Sequence, residues 1–268
     1  MEATPPTSPG RFLTARWEHL VLVTWAVPPE LIAPLLPRGV QPDIQEGQAF
    51  VSLVAFEFNN TRIKGIPVPF HINFPEVNLR YYARRGEEVG VGFVREIVNR
   101  PAITAVANGL YNEHYRTMPL KLQVTRRPKG KHFRYTLGKN GRLGHIDAEL
   151  TGKAWLPEDE DSVEDYFKER PWGYGKRKNG DGLRYRVWHP RWEVMEYSKL
   201  TYYLNYGALF GKEWAFLKDQ QPYHEMVARG SEIIVYNAQE VPARRSGAEP
   251  GNSAAAPEKA AISTGTNA

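Results

Sequence analysis

Cysteine is absent from all 268 residues, which removes disulfides, thiolate nucleophiles and thiolate metal sites together. No apolar run approaches the roughly 20 residues that a membrane helix needs, and Met1–Gly10 carries no apolar stretch of the signal-peptide kind. A membrane partner is therefore not expected, and the cytoplasm is the expected compartment. Nucleotide fingerprints are missing as well. Gly90-Val91-Gly92-Phe93-Val94-Arg95 lacks the third glycine of a dinucleotide turn, and Gly173-Tyr174-Gly175-Lys176 has no Ser or Thr after its lysine, so it reads as a basic loop. There is no Gly-x-Ser-x-Gly elbow. His19, His71, His114, His132, His145, His189 and His224 show no paired helical spacing, so neither a metal nor a cofactor is expected.

What is present suffices for a large core. Hydrophobic residues make up 41% and aromatic residues 12% of the chain, ample for one domain of this length. Residues 1–12 are expected to be a flexible start. Residues 243–268, rich in Ala, Gly, Ser and Pro, read as a disordered tail. No linker or repeat divides the interval, which predicts a single domain over 13–242. The net charge of +5 is unevenly spread, with Arg126, Arg127, Lys129, Lys131, Arg134, Lys139 and Arg142 on one expected hairpin. Nucleic acid is not the expected partner, because the acidic run Glu158–Asp161 opposes it and no nucleic-acid module is recognisable. Such a hairpin is either a solvated face or a contact for an acidic protein. Oligomerisation stays open.

Strand patterns dominate. Trp17–Trp25 is apolar on both faces and should be a central strand, and Ala49–Phe58 has the same character. Pro28-Pro29-Glu30 opens a short helix, and Pro101 opens another. Arg84–Glu87 reads as a hairpin turn before a strand from Val89 to Val94. A meander follows over Leu120–Thr125, His132–Leu137 and His145–Trp155, and Ser162 caps a helix reaching Arg170. Helices enter singly among strands, which argues for an α+β, mainly β fold with an antiparallel or mixed sheet.

The chemistry concentrates in Pro75-Glu76-Val77-Asn78-Leu79-Arg80-Tyr81-Tyr82. In a strand, alternate side chains share a face, so Glu76, Asn78, Arg80 and Tyr82 converge opposite Val77, Leu79 and Tyr81. A carboxylate, an amide and a guanidinium placed this way can orient a small polar ligand, or can satisfy one another and fix strand register. The aromatic group Tyr185, Trp188, Trp192, Tyr197, Tyr202, Tyr203, Tyr206, Trp214 and Phe216 covers the sheet or walls a cavity.

This segment, together with Trp17–Trp25, Leu35-Leu36-Pro37-Arg38-Gly39-Val40, Gly90-Val91-Gly92-Phe93 and Val187-Trp188-His189-Pro190-Arg191-Trp192, resembles the uncharacterised YqjF-like family. That family is related in fold to acetoacetate decarboxylase. The resemblance implies a β-barrel-like sheet around a cavity, and hence a pocket for a small, anionic organic molecule contacted by Glu76, Asn78, Arg80 and Tyr82. It also raises a lyase or decarboxylase acting on a small keto acid, which needs an activated amine. The paired lysines of that chemistry are missing here. Pro119-Leu120-Lys121 keeps one, leaving Lys121, Glu113 and His114 as the catalytic candidates. A non-catalytic interaction module built on the basic hairpin is the third reading.

Overall fold

The computed structural model describes residues 4–6, 10–111, 114–159 and 161–241. The expected tail at 243–268, half of the expected flexible start and Glu113 lie outside the described residues. In chain order the strands are β1 (Arg11–Val27), β2 (Gln41–Pro42), β3 (Ala49–Ile63), β4 (Ile66–Pro67), β5 (Phe74–Arg85), β6 (Glu88–Val98), β7 (Tyr115–Thr117) and β8 (Leu120–Arg127). They continue as β9 (Gly130–Leu137), β10 (Gly144–Trp155), β11 (Trp172–Lys176), β12 (Gly182–Trp188), β13 (Val194–Leu204), β14 (His224–Ala228), β15 (Glu232–Tyr236) and β16 (Gln239–Val241). Among the described residues, α-helices interrupt them as α1 (Pro29–Ile32), α2 (Pro101–Tyr111), α3 (Val163–Lys168) and α4 (Tyr206–Phe210), with short 3-10 turns besides. The fold is mainly β, with the helices attached singly.

Seven strands close a barrel in the order β3-β5-β6-β11-β12-β15-β1, with β1 pairing back onto β3. From β1 a second layer runs out as β14-β13-β10-β9-β8. Strand β1 makes both possible. Along one edge it pairs with β3 from Leu13 to Val27, while its other edge pairs first with β15 over Arg11–Arg16 and then with β14 over Leu20–Thr24. The change of neighbour falls at a bulge where His19 adopts φ 57°. Beyond it, Leu20–Val23 are apolar on both faces because both are covered.

Two cores follow from the period-two alternation. Between barrel wall and second layer, Val77, Leu79, Tyr81 and Ala83 of β5 pack in one cluster with Val21 and Val23 of β1, Phe133 and Tyr135 of β9, and Ile146 and Ala148 of β10. The barrel interior takes the other set, including Leu20, Leu22, Val54, Phe56, Phe58 and Trp192. The alternation read from β5 therefore assigns its two faces to two different cores.

Two expectations change. Strand β1 begins at Arg11, inside the segment expected to be loose. The expected basic loop Gly173–Lys176 is barrel strand β11, with Gly173, Tyr174 and Gly175 buried. It pairs in parallel with β6 only at Trp172↔Gly90 and Gly173↔Val91. A Cβ on Gly90 would lie 2.3 Å from the Trp172 carbonyl oxygen, so this glycine permits a close strand approach.

Candidate functional site

The barrel interior holds a cavity of about 180 Å³. Glu76, Asn78 and Arg80 of β5 line it, with Glu96 of β6, Lys168 at the end of α3 and Arg170 just after it. Asn78 faces Glu96 across the β5–β6 ladder, so one step of register unites the amide and the second carboxyl. The rest of the wall is largely apolar, including Trp17, Leu22, Phe56 and Phe58.

Glu76 is 2% exposed and has no cation within ion-pairing distance among the described residues. Its carboxylate accepts from Asn78 Nδ2 at 2.9 Å and from the Tyr115 hydroxyl at 3.2 Å. Burial dominates nonetheless and pushes the carboxyl up to about 7, against those two hydrogen bonds, which favour the ionised form. A carboxyl in this range exchanges its proton near neutrality, as acid or as base.

Arg80 is anchored at one end of its guanidinium. Its Nη2 donates to the Phe167 carbonyl at 2.7 Å and to the Tyr82 hydroxyl at 3.3 Å. Its Nε is buried with no hydrogen-bond partner, and no carboxylate among the described residues pairs with it. Tyr82 stands behind it and is not part of the cavity wall. Fully buried, its hydroxyl continues through Ser52 to Thr24, with 2.6 Å at each step. This hydroxyl chain fixes the ring that supports Arg80.

The other two cations are neutralised. Arg170 Nη1 donates to Asp43 Oδ2 at 2.7 Å, both groups being nearly inaccessible, and its Nε donates to the Tyr166 carbonyl at 2.7 Å. Arg170 Nη2 is buried without a partner. The Lys168 amine is engaged by Asp165 and by Glu169 at 3.1 Å, and Asp165 also pairs with Arg191. The helix carrying Lys168 starts where the sequence indicates, Ser162 Oγ accepting from Asp165 N at 3.3 Å. His189 lines the cavity and stacks on Trp192 at 3.9 Å between centroids. Burial lowers its imidazole below the usual value against the pull of Glu169.

Of the residues singled out from sequence, the cavity gathers Glu76, Asn78 and Arg80, with Tyr82 as their support. Lys121 is exposed on β8 and His114 is exposed ahead of β7; neither lines the cavity. The His114 carbonyl accepts from Glu96 N at 3.3 Å, a backbone role. Sequence reasoning passed over Glu96, Lys168, Arg170 and Asp43. For Glu96 a signal existed, a carboxylate sharing a strand face with Val94 and Val98; for the others only tertiary contact reveals the role. Of the described residues, Glu18, His19 and Glu57 bring metal-ligating atoms within 4.8 Å of one another at the β1 bulge. Both carboxylates there already accept from Asn59, and Glu18 also pairs with Arg16.

Residues 14–232 match the family DUF2071, described as an uncharacterised conserved protein. The chain belongs to this family. One relative with a partial match is the uncharacterised protein YqjF of Bacillus subtilis, 32% identical over 78 residues, which span 29% of this chain and 32% of that protein's length. Several solved structures share the fold. An acetoacetate decarboxylase-like enzyme from Sphingomonas wittichii superposes with a TM-score of 0.59 at 15% identity, covering 91% of this chain and 100% of that one. Acetoacetate decarboxylase from Legionella pneumophila gives 0.59 at 9% identity, covering 90% and 92%. The enduracididine biosynthesis enzyme MppR, in complex with pyruvate, gives 0.56 at 12% identity, covering 90% and 92%. At these identities the likeness is one of fold.

Proposed function

We propose that this protein binds a small, anionic organic molecule inside the barrel, with Arg80 as the anion partner and Glu76 and Asn78 orienting the ligand. The observation that carries the reading is the charge pattern of the cavity wall. Lys168 and Arg170 each have a buried carboxylate partner, whereas the Arg80 guanidinium has none among the described residues and keeps a buried N–H unused. Such a group is costly until an acceptor arrives, so an anion placed against it gains a charge-assisted bond. A concave, mostly apolar interior with a few convergent polar groups is the usual form of a small-molecule site. A structural relative, MppR, holds pyruvate, a small carboxylate.

The test is a thermal-shift screen of small carboxylic acids, keto acids included, on wild type and Arg80→Ala side by side. A ligand at about 100 times its Kd stabilises the native state by about 2.7 kcal/mol, which a melting curve resolves. Acids that raise the melting temperature of wild type and not of Arg80→Ala support the reading. It fails if no acid shifts wild type, or if both proteins shift alike.

A second reading, an enzyme acting on a small keto acid, is favoured by the Glu76 carboxyl, raised to about 7 by burial within the cavity wall. Its acid/base group would be Glu76, since Lys121 and His114 lie away from the cavity. Turnover of a bound keto acid by wild type, lost in Glu76→Gln with binding retained, is the result this reading requires.

A further inference from the structure

We infer that the ligand of this cavity is an aryl monocarboxylate, a carboxylic acid carrying one aromatic ring. The inference rests on the anion-binding reading above and narrows it to a chemical class.

Size gives the first argument. A dry engineered cavity of about 150 Å³ accepts benzene. At about 180 Å³, this interior has room for one ring and a carboxyl group. A two- to four-carbon acid would leave much of the wall without partner atoms, and each unfilled contact forfeits dispersion energy.

The wall supplies the second. On its apolar side Trp17 lies 4.8 Å from Phe56 and 6.0 Å from Trp192 between ring centroids, with tilted planes. Phe56 lies 5.2 Å from Phe58, also tilted. Rings set at such angles present both edges and faces, to which a further ring can pack edge-to-face or offset. Leu22 and Val54 complete that side with aliphatic surface.

Charge supplies the third. Arg80 Nε and Arg170 Nη2 are both buried donors without partners. The guanidinium carbons of Arg80 and Arg170 lie 5.4 and 5.2 Å from the centroid of the Tyr82 ring, and the two groups donate to the carbonyls of Phe167 and Tyr166 respectively. Arg80 Nε, on a cavity-lining guanidinium that no carboxylate neutralises among the described residues, suits an oxygen of a carboxylate. Glu76 and Glu96 share the wall, so a dianion such as a phosphate monoester would set its second charge against them. A single negative charge on an aromatic body fits all three constraints.

The experiment is titration calorimetry of the full chain with benzoate, phenylacetate, acetate, pyruvate and benzyl alcohol, with tryptophan fluorescence in parallel. Benzoate or phenylacetate should bind at least tenfold more tightly than acetate or pyruvate and change the emission of the Trp17 and Trp192 wall, and benzyl alcohol should bind at least tenfold more weakly than the aryl acids. Val54→Phe, which fills the cavity with a ring, should cost the aryl acids at least tenfold; Phe56→Leu is the second variant should that one not fold. Short acids binding as tightly as aryl acids would overturn the inference and leave the anion site standing. Benzyl alcohol binding as well as benzoate would overturn it too. If no acid of either kind binds, the anion-binding reading itself falls.

Discussion

Replacing Glu76 by Gln should change how stability depends on pH. The folded chain holds the Glu76 proton more tightly than the unfolded chain, because burial raises the carboxyl from 4.5 to about 7. Folding therefore takes up a proton between those values. This group's favourable share of stability is complete below the unfolded value and is lost as pH rises through about 7. At 1.36 kcal/mol per pKa unit, the loss approaches about 3 kcal/mol by pH 8 and above. Glutamine keeps an acceptor for Asn78 Nδ2 and does not titrate. Its amide cannot accept from Tyr115 as the carboxylate oxygen does, which adds a pH-independent offset of about 1 kcal/mol. The informative quantity is thus the slope. Of the loss, about 2.5 kcal/mol falls between pH 5 and 8.5, so over this range the melting temperature of Glu76→Gln should gain on wild type by roughly 5–10 °C, at 2–4 °C per kcal/mol for a domain of this size. Parallel curves would refute the argument.

Three further outcomes are expected. Asp43→Ala strands the buried Arg170 guanidinium and should cost about 3–5 kcal/mol in urea unfolding, where a loss under about 1 kcal/mol would mean that water replaces the carboxylate. Gly90→Ala forces β6 from β11 and should cost at least about 2 kcal/mol, with faster amide exchange in Trp172–Lys176; an unchanged melting curve would show that the strands have slack. Ser162→Ala removes the α3 cap and should lower stability by about 1 kcal/mol, while Ser162→Asp, which keeps an acceptor, should stay near wild type.

The polar face of β5 was readable because a strand's period of two leaves no freedom once the apolar face is known. Val77, Leu79 and Tyr81 had to enter a core, and Glu76, Asn78 and Arg80 had to point the other way. Strand β1 was readable for the related reason that residues apolar on both faces demand two covers. Strand β11 was not. Trp-Gly-Tyr-Gly-Lys has weak strand propensity, and only its β6 and β12 neighbours make it a strand. Lys168 and Arg170 were hidden differently. In sequence they belong to a short charged helix that resembles a solvated one, and their burial depends on Asp43, 127 residues before Arg170, and on Arg191 after it. Local pattern can show which face a side chain takes; it carries no information on which distant charge will neutralise it.

The shared strand β1 also bears on how the molecule comes apart. Its seventeen residues are wall to the barrel and first rung of the outer layer, so Leu22 belongs to one core while Val23 belongs to the other. Loss of β1 would strip a wall from both layers at once. Adjacent residues of one strand thus tie the two cores together, so a disturbance of the outer layer reaches the barrel interior through β1.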